Sequence, residues 1–126
     1  MGTEDELRDG LFGERPAAEA AIAEDDGGQP VGFALWFTTF STFLCRPGLW
    51  VEDLFVRPER RGRGAGRELL AHVARVAVER GCGRLELAAL DWNEPAIAFY
   101  RSLGAVAMDE WTTQRLEGDA LRRLAT

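Results

Sequence analysis

An apolar segment, an arginine- and glycine-rich loop and an amphipathic segment follow one another between residues 49 and 81. The segment "LWVEDLFV", residues 49–56, is apolar on both alternate faces, the pattern of a buried strand. Residues 67–81 repeat apolar positions at helical spacing and stop at Gly81, which predicts a helix. With a further strand predicted after this helix, the order indicates a mixed α/β sheet with crossover helices.

The other elements follow from periodicity and turn signals. Residues 4–13 predict a short helix, and residues 31–40 predict a buried strand. Residues 17–25 alternate as a strand would, although their alanines would equally suit a helix, and "DDGGQP" is a turn signal. Beyond the loop we expect a strand at 84–90, a helix at 93–104 capped by Asn93, short strands at 105–108 and 110–116, and one or two helical turns at 117–125. Without linkers or repeats, residues 1–126 are predicted to form a single domain.

Composition excludes several classes of function. The net charge is −6 and the pI is about 4.8, which argues against a nucleic-acid partner and leaves a cationic small substrate plausible. No apolar run reaches the roughly 18 residues of a membrane span, and the acidic N-terminus does not resemble a signal peptide. We therefore expect a cytoplasmic protein without a membrane partner. Cys45, Cys82 and His72 lack metal-ligand spacing, so no metal site is predicted.

The loop itself concentrates positive charge in an acidic chain. Residues 57–67 contain five arginines and one glutamate, with glycines at positions 62, 64 and 66. A helix start presents unpaired backbone N–H groups, and glycines let a ligand approach the backbone closely. The pattern predicts a cradle for a polyphosphate anion.

The spacing of the loop separates the possible polyphosphate ligands. A P-loop requires a lysine, and this chain has none; the dinucleotide fingerprint has one more residue between its second and third glycines. The loop instead fits R-x-x-G-x-G, with Arg61, Gly64 and Gly66. Together with "VEDLFV" before it and "DWNEPAIAFYRSLGA" after it, the chain resembles the GNAT superfamily of N-acetyltransferases. Its diamine branch, the spermidine/spermine and thialysine acetyltransferases, is the most similar.

The resemblance implies a fold, a donor and an activity. It implies a mixed, mostly antiparallel sheet flanked by helices, apparently lacking the first strand and helix of the family. It also implies acetyl-CoA as the acetyl donor, a small-molecule amine as acceptor and a homodimer. For the donor it implies contacts from the backbone of β-strand residues Leu54, Phe55 and Val56, from the loop residues Arg61, Gly62, Arg63, Gly64, Ala65, Gly66 and Arg67, and from Asn93 and Ala96.

For catalysis, the resemblance assigns Tyr100 as the general acid that protonates the departing thiolate. Glu52 and Asp53 are unusual on their own terms, because a carboxylate in an apolar layer is costly unless it is paired. We interpret them as ligands of a cationic acceptor, with Glu52 as a candidate base and Trp36 and Trp50 as aromatic walls. The resemblance also implies a β-bulge at this point, which would turn both acids toward one cleft.

Two other readings remain open at this stage. The chain could be a non-catalytic acetyl-CoA-binding module without a complete acceptor site, or a nucleotide-binding regulatory domain. Acetylation of an amine would distinguish the leading hypothesis from both.

Overall fold

The computed structural model describes residues 1–126 as two compact units, Met1–Ala88 and Ala89–Thr126. The first unit holds a four-stranded sheet and two helices, and the second unit holds two helices. The elements of the first unit are α1 (Glu4–Phe12), β1 (Glu19–Glu24), β2 (Pro30–Ser41), β3 (Arg46–Val56), a 3-10 turn (Pro58–Arg60), α2 (Ala65–Glu79) and β4 (Leu85–Leu87). Those of the second unit are α3 (Glu94–Ser102) and α4 (Gly118–Ala125). No helix combines the length and apolar character needed to cross a membrane.

The sheet has the strand order β1-β2-β3-β4. The first three strands are antiparallel, and β4 lies parallel to β3 after the crossover through α2. This mixed sheet confirms the predicted fold class. Helix α2 contacts β1, β2 and β3. We call the side of the sheet that carries it the α2 face and the other side the opposite face.

The core of the first unit lies between the sheet and α2. It is formed by apolar side chains of the α2 face and of the helix, with no buried charged residue: Val31, Ala34, Trp36, Leu49, Val51, Leu69, Leu70, Val73 and Ala77. Arg80 at the end of α2 binds Glu19 of β1 with two hydrogen bonds of 2.7 Å. The helix is therefore attached to the outermost strand as well as packed on the central ones.

The local predictions were largely correct where short-range signals were strong. The alanine-rich segment forms a strand, α1 ends at Gly13, and Asn93 caps α3 by accepting a hydrogen bond from Ala96 N at 3.3 Å. The strand predicted at 84–90 is shorter than expected and spans Leu85–Leu87.

The two final strands predicted at 105–108 and 110–116 are wrong, because residues 105–117 form neither strand nor helix. Apolar residues of this segment are exposed, for example Val106 at 81% and Trp111 at 78%. A strand requires a neighbour to accept its hydrogen bonds, and no strand of the sheet pairs with this segment.

Candidate functional site

The loop between β3 and α2 takes a shape that requires glycine at two positions. Gly62 and Gly64 have φ angles of +80° and +90°, a region that other residues rarely enter. A Cβ atom at either position would meet nothing within 4 Å, so the chain leaves open space beside both. The backbone conformation therefore explains these glycines, whereas Gly66 lies in the first turn of α2.

The last backbone N–H groups of this loop and the first ones of α2 have no acceptor in the protein. Gly64 is the N-cap of α2 and offers no side-chain cap. Glu68 N donates to Gly64 O at 2.9 Å and begins the helical pattern. The six preceding N–H groups donate to no protein atom: those of Gly62, Arg63, Gly64, Ala65, Gly66 and Arg67. Consecutive free donors at a helix start form a site with the chemistry of a phosphate cradle.

The arginines of the loop divide into two groups. Arg60 donates to Asp25 Oδ2 at 2.9 Å, and Arg61 Nε donates to the Val56 carbonyl oxygen at 2.9 Å. The side chains of Arg57, Arg63 and Arg67 form no ion pair or hydrogen bond. These three guanidinium groups add positive charge to the loop and to the start of α2, which favours a polyphosphate anion.

Strand β3 has an unpaired edge beside the loop. Its pairing with β4 ends at Val51 and Leu87, while its pairing with β2 continues to Val56. Arg57 N donates to Val31 O at 2.8 Å, so these two residues form a hydrogen-bonded pair of the antiparallel ladder. Hydrogen-bonded and non-hydrogen-bonded pairs then alternate along β2 and β3. By that alternation Phe55 bonds to β2, whereas Leu54 and Val56 direct their N–H and C=O groups toward the free edge.

A β-bulge lies where β3 loses its β4 partner. Leu35 pairs with Asp53 and Trp36 pairs with Val51, which leaves Glu52 as the extra residue. Val51 and Leu54 both lie on the α2 face, opposite Trp36 and Ala34. The two residues between them, Glu52 and Asp53, therefore both project to the opposite face.

The environment of these acids differs from the sequence-based expectation. That expectation placed at least one carboxylate within an apolar layer, but Glu52 and Asp53 are both exposed. The bulge is the reason, since it removes from the α2 face the acid that regular alternation would have buried there. Both acids therefore stay hydrated in the folded protein and are accessible to a ligand.

The two predicted aromatic walls lie on different faces of the sheet. Trp50 is half-buried on the opposite face, between Phe37 of β2 and Glu86 of β4. Trp36 belongs to the core, with 3% of its surface exposed and its ring edge-on to His72 at 6.1 Å. Its buried indole N–H has no hydrogen-bond partner. Trp36 is therefore on the wrong side of the sheet to line a site with Asp53.

The second unit carries three of the predicted site residues. The Asn93 side chain caps α3 through Ala96, a role that accounts for this asparagine without a ligand. Tyr100 lies half-buried in α3, and its ring is 5.6 Å from that of Phe99. Burial raises the pKa of the Tyr100 hydroxyl, so this group stays protonated throughout the neutral range.

One charged pair was not singled out by the sequence. Arg84 and Glu86 are alternate residues around β4, and Glu86 lies beside Trp50 on the opposite face. Arg84 Nη2 donates to Ser41 Oγ at 2.6 Å, and its Nη1 lies 4.0 Å from Glu86 Oε2. The signal that could have revealed them was their separation by two residues in a predicted strand, which places both side chains on one face.

One cleft of the first unit lies on the α2 face. It has a volume of about 670 Å³ between β1 and the first turns of α2, and it reaches Arg63 and Gly64. Glu52, Asp53 and Trp50 do not line it. The cleft and the acids therefore lie on different sides of the sheet. No group of His, Cys, Asp or Glu side chains is arranged to hold a metal ion.

Comparison with known proteins assigns this geometry to a family. Residues 2–105 match the acetyltransferase (GNAT) family. The chain is 40% identical over 133 residues to thialysine N-epsilon-acetyltransferase from Bos taurus, covering 98% of this chain and 78% of that protein. It is 44% identical over 93 residues to L-ornithine N5-acetyltransferase from Arabidopsis thaliana, covering 74% of this chain and 41% of that protein.

A solved structure has a similar fold. An integron cassette protein from the mobile metagenome of V. cholerae superposes with a TM-score of 0.84 and 31% identity, covering 98% of this chain and 78% of that one. The predicted resemblance to the diamine branch is confirmed by the thialysine enzymes. The chain therefore belongs to the acetyltransferase (GNAT) family, as an N-acetyltransferase of a family whose acetyl donor is acetyl-CoA.

Proposed function

We propose that this enzyme transfers an acetyl group from acetyl-CoA to a primary amine of a small cationic acceptor, by direct attack and without an acyl-enzyme. The acceptors in view are polyamines, diamines and lysine-like compounds. One observation carries the proposal: the bulge at Glu52 places two exposed carboxylates beside the free edge of β3, the strand that leads into the loop with the free N–H groups. The relatives support this choice of acceptor. Thialysine N-epsilon-acetyltransferase and L-ornithine N5-acetyltransferase are named for thialysine and L-ornithine, both of which carry side-chain amines.

Binding of the donor is supported by the free N–H groups of the loop. Residues Gly62 to Arg67 would hold the diphosphate, and Arg63 and Arg67 would add charge. The pantetheine arm carries amide groups that can pair with the free edge of β3. The register supports the Leu54 carbonyl and the Val56 N–H as its partners, since Phe55 is bonded to β2 and the Val56 carbonyl already accepts from Arg61. We retain Asn93 and Ala96 as donor contacts on the resemblance alone.

Binding of the acceptor is assigned to Glu52, Asp53 and Trp50. An alkylamine with a pKa near 10 is mostly protonated at neutral pH, and its ammonium form cannot attack a thioester. Two carboxylates on one face attract this cation, and either Glu52 or Asp53 then accepts a proton, directly or through water. Trp50 offers an aromatic face to the ammonium group. Trp36 is omitted because it is buried in the core.

The transfer itself forms one bond and breaks another. The amine nitrogen bonds to the thioester carbonyl carbon, and the carbon–sulfur bond then breaks. A free N–H at the β3 edge, that of Leu54, stabilises the negative oxygen. On the resemblance alone we assign Tyr100 as the donor of the proton that the departing thiolate takes up, and the raised pKa of this group keeps that proton available. The second proton that the amine nitrogen loses on forming the amide returns to the tyrosine, directly or through water.

Two properties are proposed from the resemblance to the diamine branch. We propose that the enzyme is a homodimer and that it works in the cytoplasm. Light scattering coupled to size exclusion measures the first, and a monomer at micromolar concentration would contradict it.

Steady-state kinetics with Glu52→Gln and Asp53→Asn test the proposed function. We expect kcat/KM for the amine to fall about a hundredfold in at least one variant, with the Kd for acetyl-CoA unchanged. Glu14→Gln is the control, because Glu14 is exposed and forms no ion pair. Acetyl-CoA binding without acetylation of any amine would instead indicate a non-catalytic module.

A further inference from the structure

We propose that Arg84 and Glu86 recognise the α-carboxylate and α-ammonium groups of an amino-acid acceptor, so that the enzyme prefers a lysine-like amino acid to a free diamine. The inference rests on the proposed function and names two further residues that determine its specificity. In this arrangement the side-chain amine of the acceptor reaches Glu52 and Asp53, while its α-carbon end lies over β4.

The position of Glu86 fits the far end of such an acceptor. Glu86 pairs with Trp50 across the parallel β3–β4 ladder, so its side chain shares a face with Trp50 and Asp53. Two residues along β3 and one strand across separate the Cα atoms of Glu86 and Glu52 by about 8 Å. The side chain of lysine or ornithine can bridge this distance, with Trp50 lying along its alkyl chain.

Arg84 is held in place by a contact that crosses β3. Its Nη2 donates to Ser41 Oγ of β2 at 2.6 Å, so the side chain must pass over the intervening strand. Gly48 provides the passage: a Cβ atom there would lie 3.3 Å from Arg84 Cγ and 2.8 Å from Thr39 Oγ1. The guanidinium group is therefore positioned before any ligand arrives.

The pair is charged, adjacent and incompletely satisfied. Arg84 Nη1 and Glu86 Oε2 lie 4.0 Å apart, which is too long for a hydrogen bond. The two side chains keep 38% and 35% of their surface exposed, so a ligand can reach both. The head of an amino acid presents one negative and one positive group side by side, which complements this pair. A free diamine would satisfy Glu86 alone and would bring no anion to Arg84.

Matched acceptors test the inference with the wild-type enzyme. Lysine is compared with 1,5-diaminopentane, and ornithine with 1,4-diaminobutane, because each pair differs only by the α-carboxylate. We expect kcat/KM to favour each amino acid by about tenfold or more, the effect of one charge-assisted hydrogen bond.

Variants then separate recognition from stability. Arg84→Gln is expected to raise KM for lysine by about tenfold while leaving the diamines within about twofold, and Glu86→Gln is expected to weaken both classes. Lysine methyl ester lacks the carboxylate charge, so Arg84→Gln should leave its KM nearly unchanged. Arg75→Gln is the matched control, since Arg75 lies on α2 and forms no ion pair.

The outcomes distinguish this inference from the proposed function. Equal losses for lysine and 1,5-diaminopentane in Arg84→Gln would show a structural role and overturn the inference, as would a wild-type preference for the diamines. Ser41→Ala, which frees the guanidinium, should give a partial loss for the amino acids only. If no amine is acetylated, the proposed function fails; calorimetry of the CoA-bound protein that detects no lysine binding would then overturn the inference as well.

Discussion

Arg60 Nη2 donates a hydrogen bond of 2.9 Å to Asp25 Oδ2, which joins the arginine–glycine loop to the turn between β1 and β2. The other oxygen of the same carboxylate accepts hydrogen bonds from Gly27 N and Gln29 N, each at 2.9 Å. One side chain thus shapes the turn and holds the start of the loop that offers the free N–H groups.

Removing the Asp25 carboxylate should weaken donor binding. In Asp25→Ala we expect the Kd for acetyl-CoA to rise by about threefold to tenfold, because the loop loses its attachment to the turn. The Gln29 N–H, with those of Gly27 and Arg60, holds the pKa of Asp25 below its ordinary value. The pKa of Asp25 is lower in the folded than in the unfolded protein. Its carboxylate therefore stabilises the turn above the unfolded pKa, and this stabilisation is lost as the pH falls through the folded pKa. Titration calorimetry measures the Kd, with Asp26→Ala as the control. If Asp25→Ala and the wild type had the same Kd for acetyl-CoA, the coupling between the turn and the loop would be refuted.

Gly64 is the loop position where an added methyl group should do most harm. Its φ of +90° is strained for alanine, so Gly64→Ala should lose about 1 kcal/mol of stability and bind acetyl-CoA about tenfold more weakly. Gly10→Ala is the matched control: Gly10 lies inside α1, and a Cβ there meets nothing within 4 Å. This control should gain about 0.5–1 kcal/mol and bind the donor normally. Urea unfolding and calorimetry measure both effects, and normal donor binding by Gly64→Ala would contradict the cradle.

Substitutions of the two tryptophans should affect different properties: the stability of the fold for Trp36 and the binding of the acceptor for Trp50. Trp36→Phe leaves a gap in the core but removes a buried N–H without a partner, so we expect a loss of about 1–2 kcal/mol and an unchanged KM for the amine. Trp50→Phe should raise that KM severalfold at little cost in stability. Urea unfolding and steady-state kinetics are the measurements. A raised KM in Trp36→Phe at normal stability would place the acceptor on the α2 face.

The ion pair between Glu19 and Arg80 should contribute to stability in a pH-dependent way. The hydrogen bond from Arg80 lowers the pKa of Glu19, so the contribution exists above the unfolded pKa of about 4.5 and disappears as the pH falls through the folded value. Both side chains are more than 40% exposed, so Glu19→Gln should cost only about 0.5 kcal/mol at pH 7. Urea unfolding at pH 7 and pH 3 tests this; an equal loss at both would exclude the charge as the cause.

Tyr100→Phe tests the proposed acid without changing the shape of the ring. We expect kcat to fall about a hundredfold with little change in the Kd for acetyl-CoA, because only the proton donor is removed. Burial raises the pKa of Tyr100, so the wild-type rate should not decline on the alkaline side until above the ordinary tyrosine value near 10. Phe99→Leu, which alters the neighbouring ring, is the control. Full activity in Tyr100→Phe would remove this residue from the mechanism.

Local patterns in the sequence determined the elements that carry the proposed donor site. The apolar run before the loop, the glycines at 62 and 64 and the helical periodicity after them predicted a strand, a cradle and a helix start. Such features depend on neighbours a few residues apart, and the φ angle that a glycine permits is a property of the residue itself. For the same reason the caps at Asn93 and Gly13 could be predicted.

The tertiary structure shows which side chains share a face, and the bulge on which this depends was expected only from the family resemblance. A single bulge at Glu52 brought two acids onto one side, separated Trp50 from Trp36 and left the acids exposed. Strand periodicity cannot reveal a bulge, because one extra residue reverses the alternation that follows it. The reach of Arg84 across Gly48 to Ser41 also depends on contacts distant in sequence, as does the failure of residues 105–117 to form strands. Strand pairing and side-chain reach require partners that only the folded chain brings together.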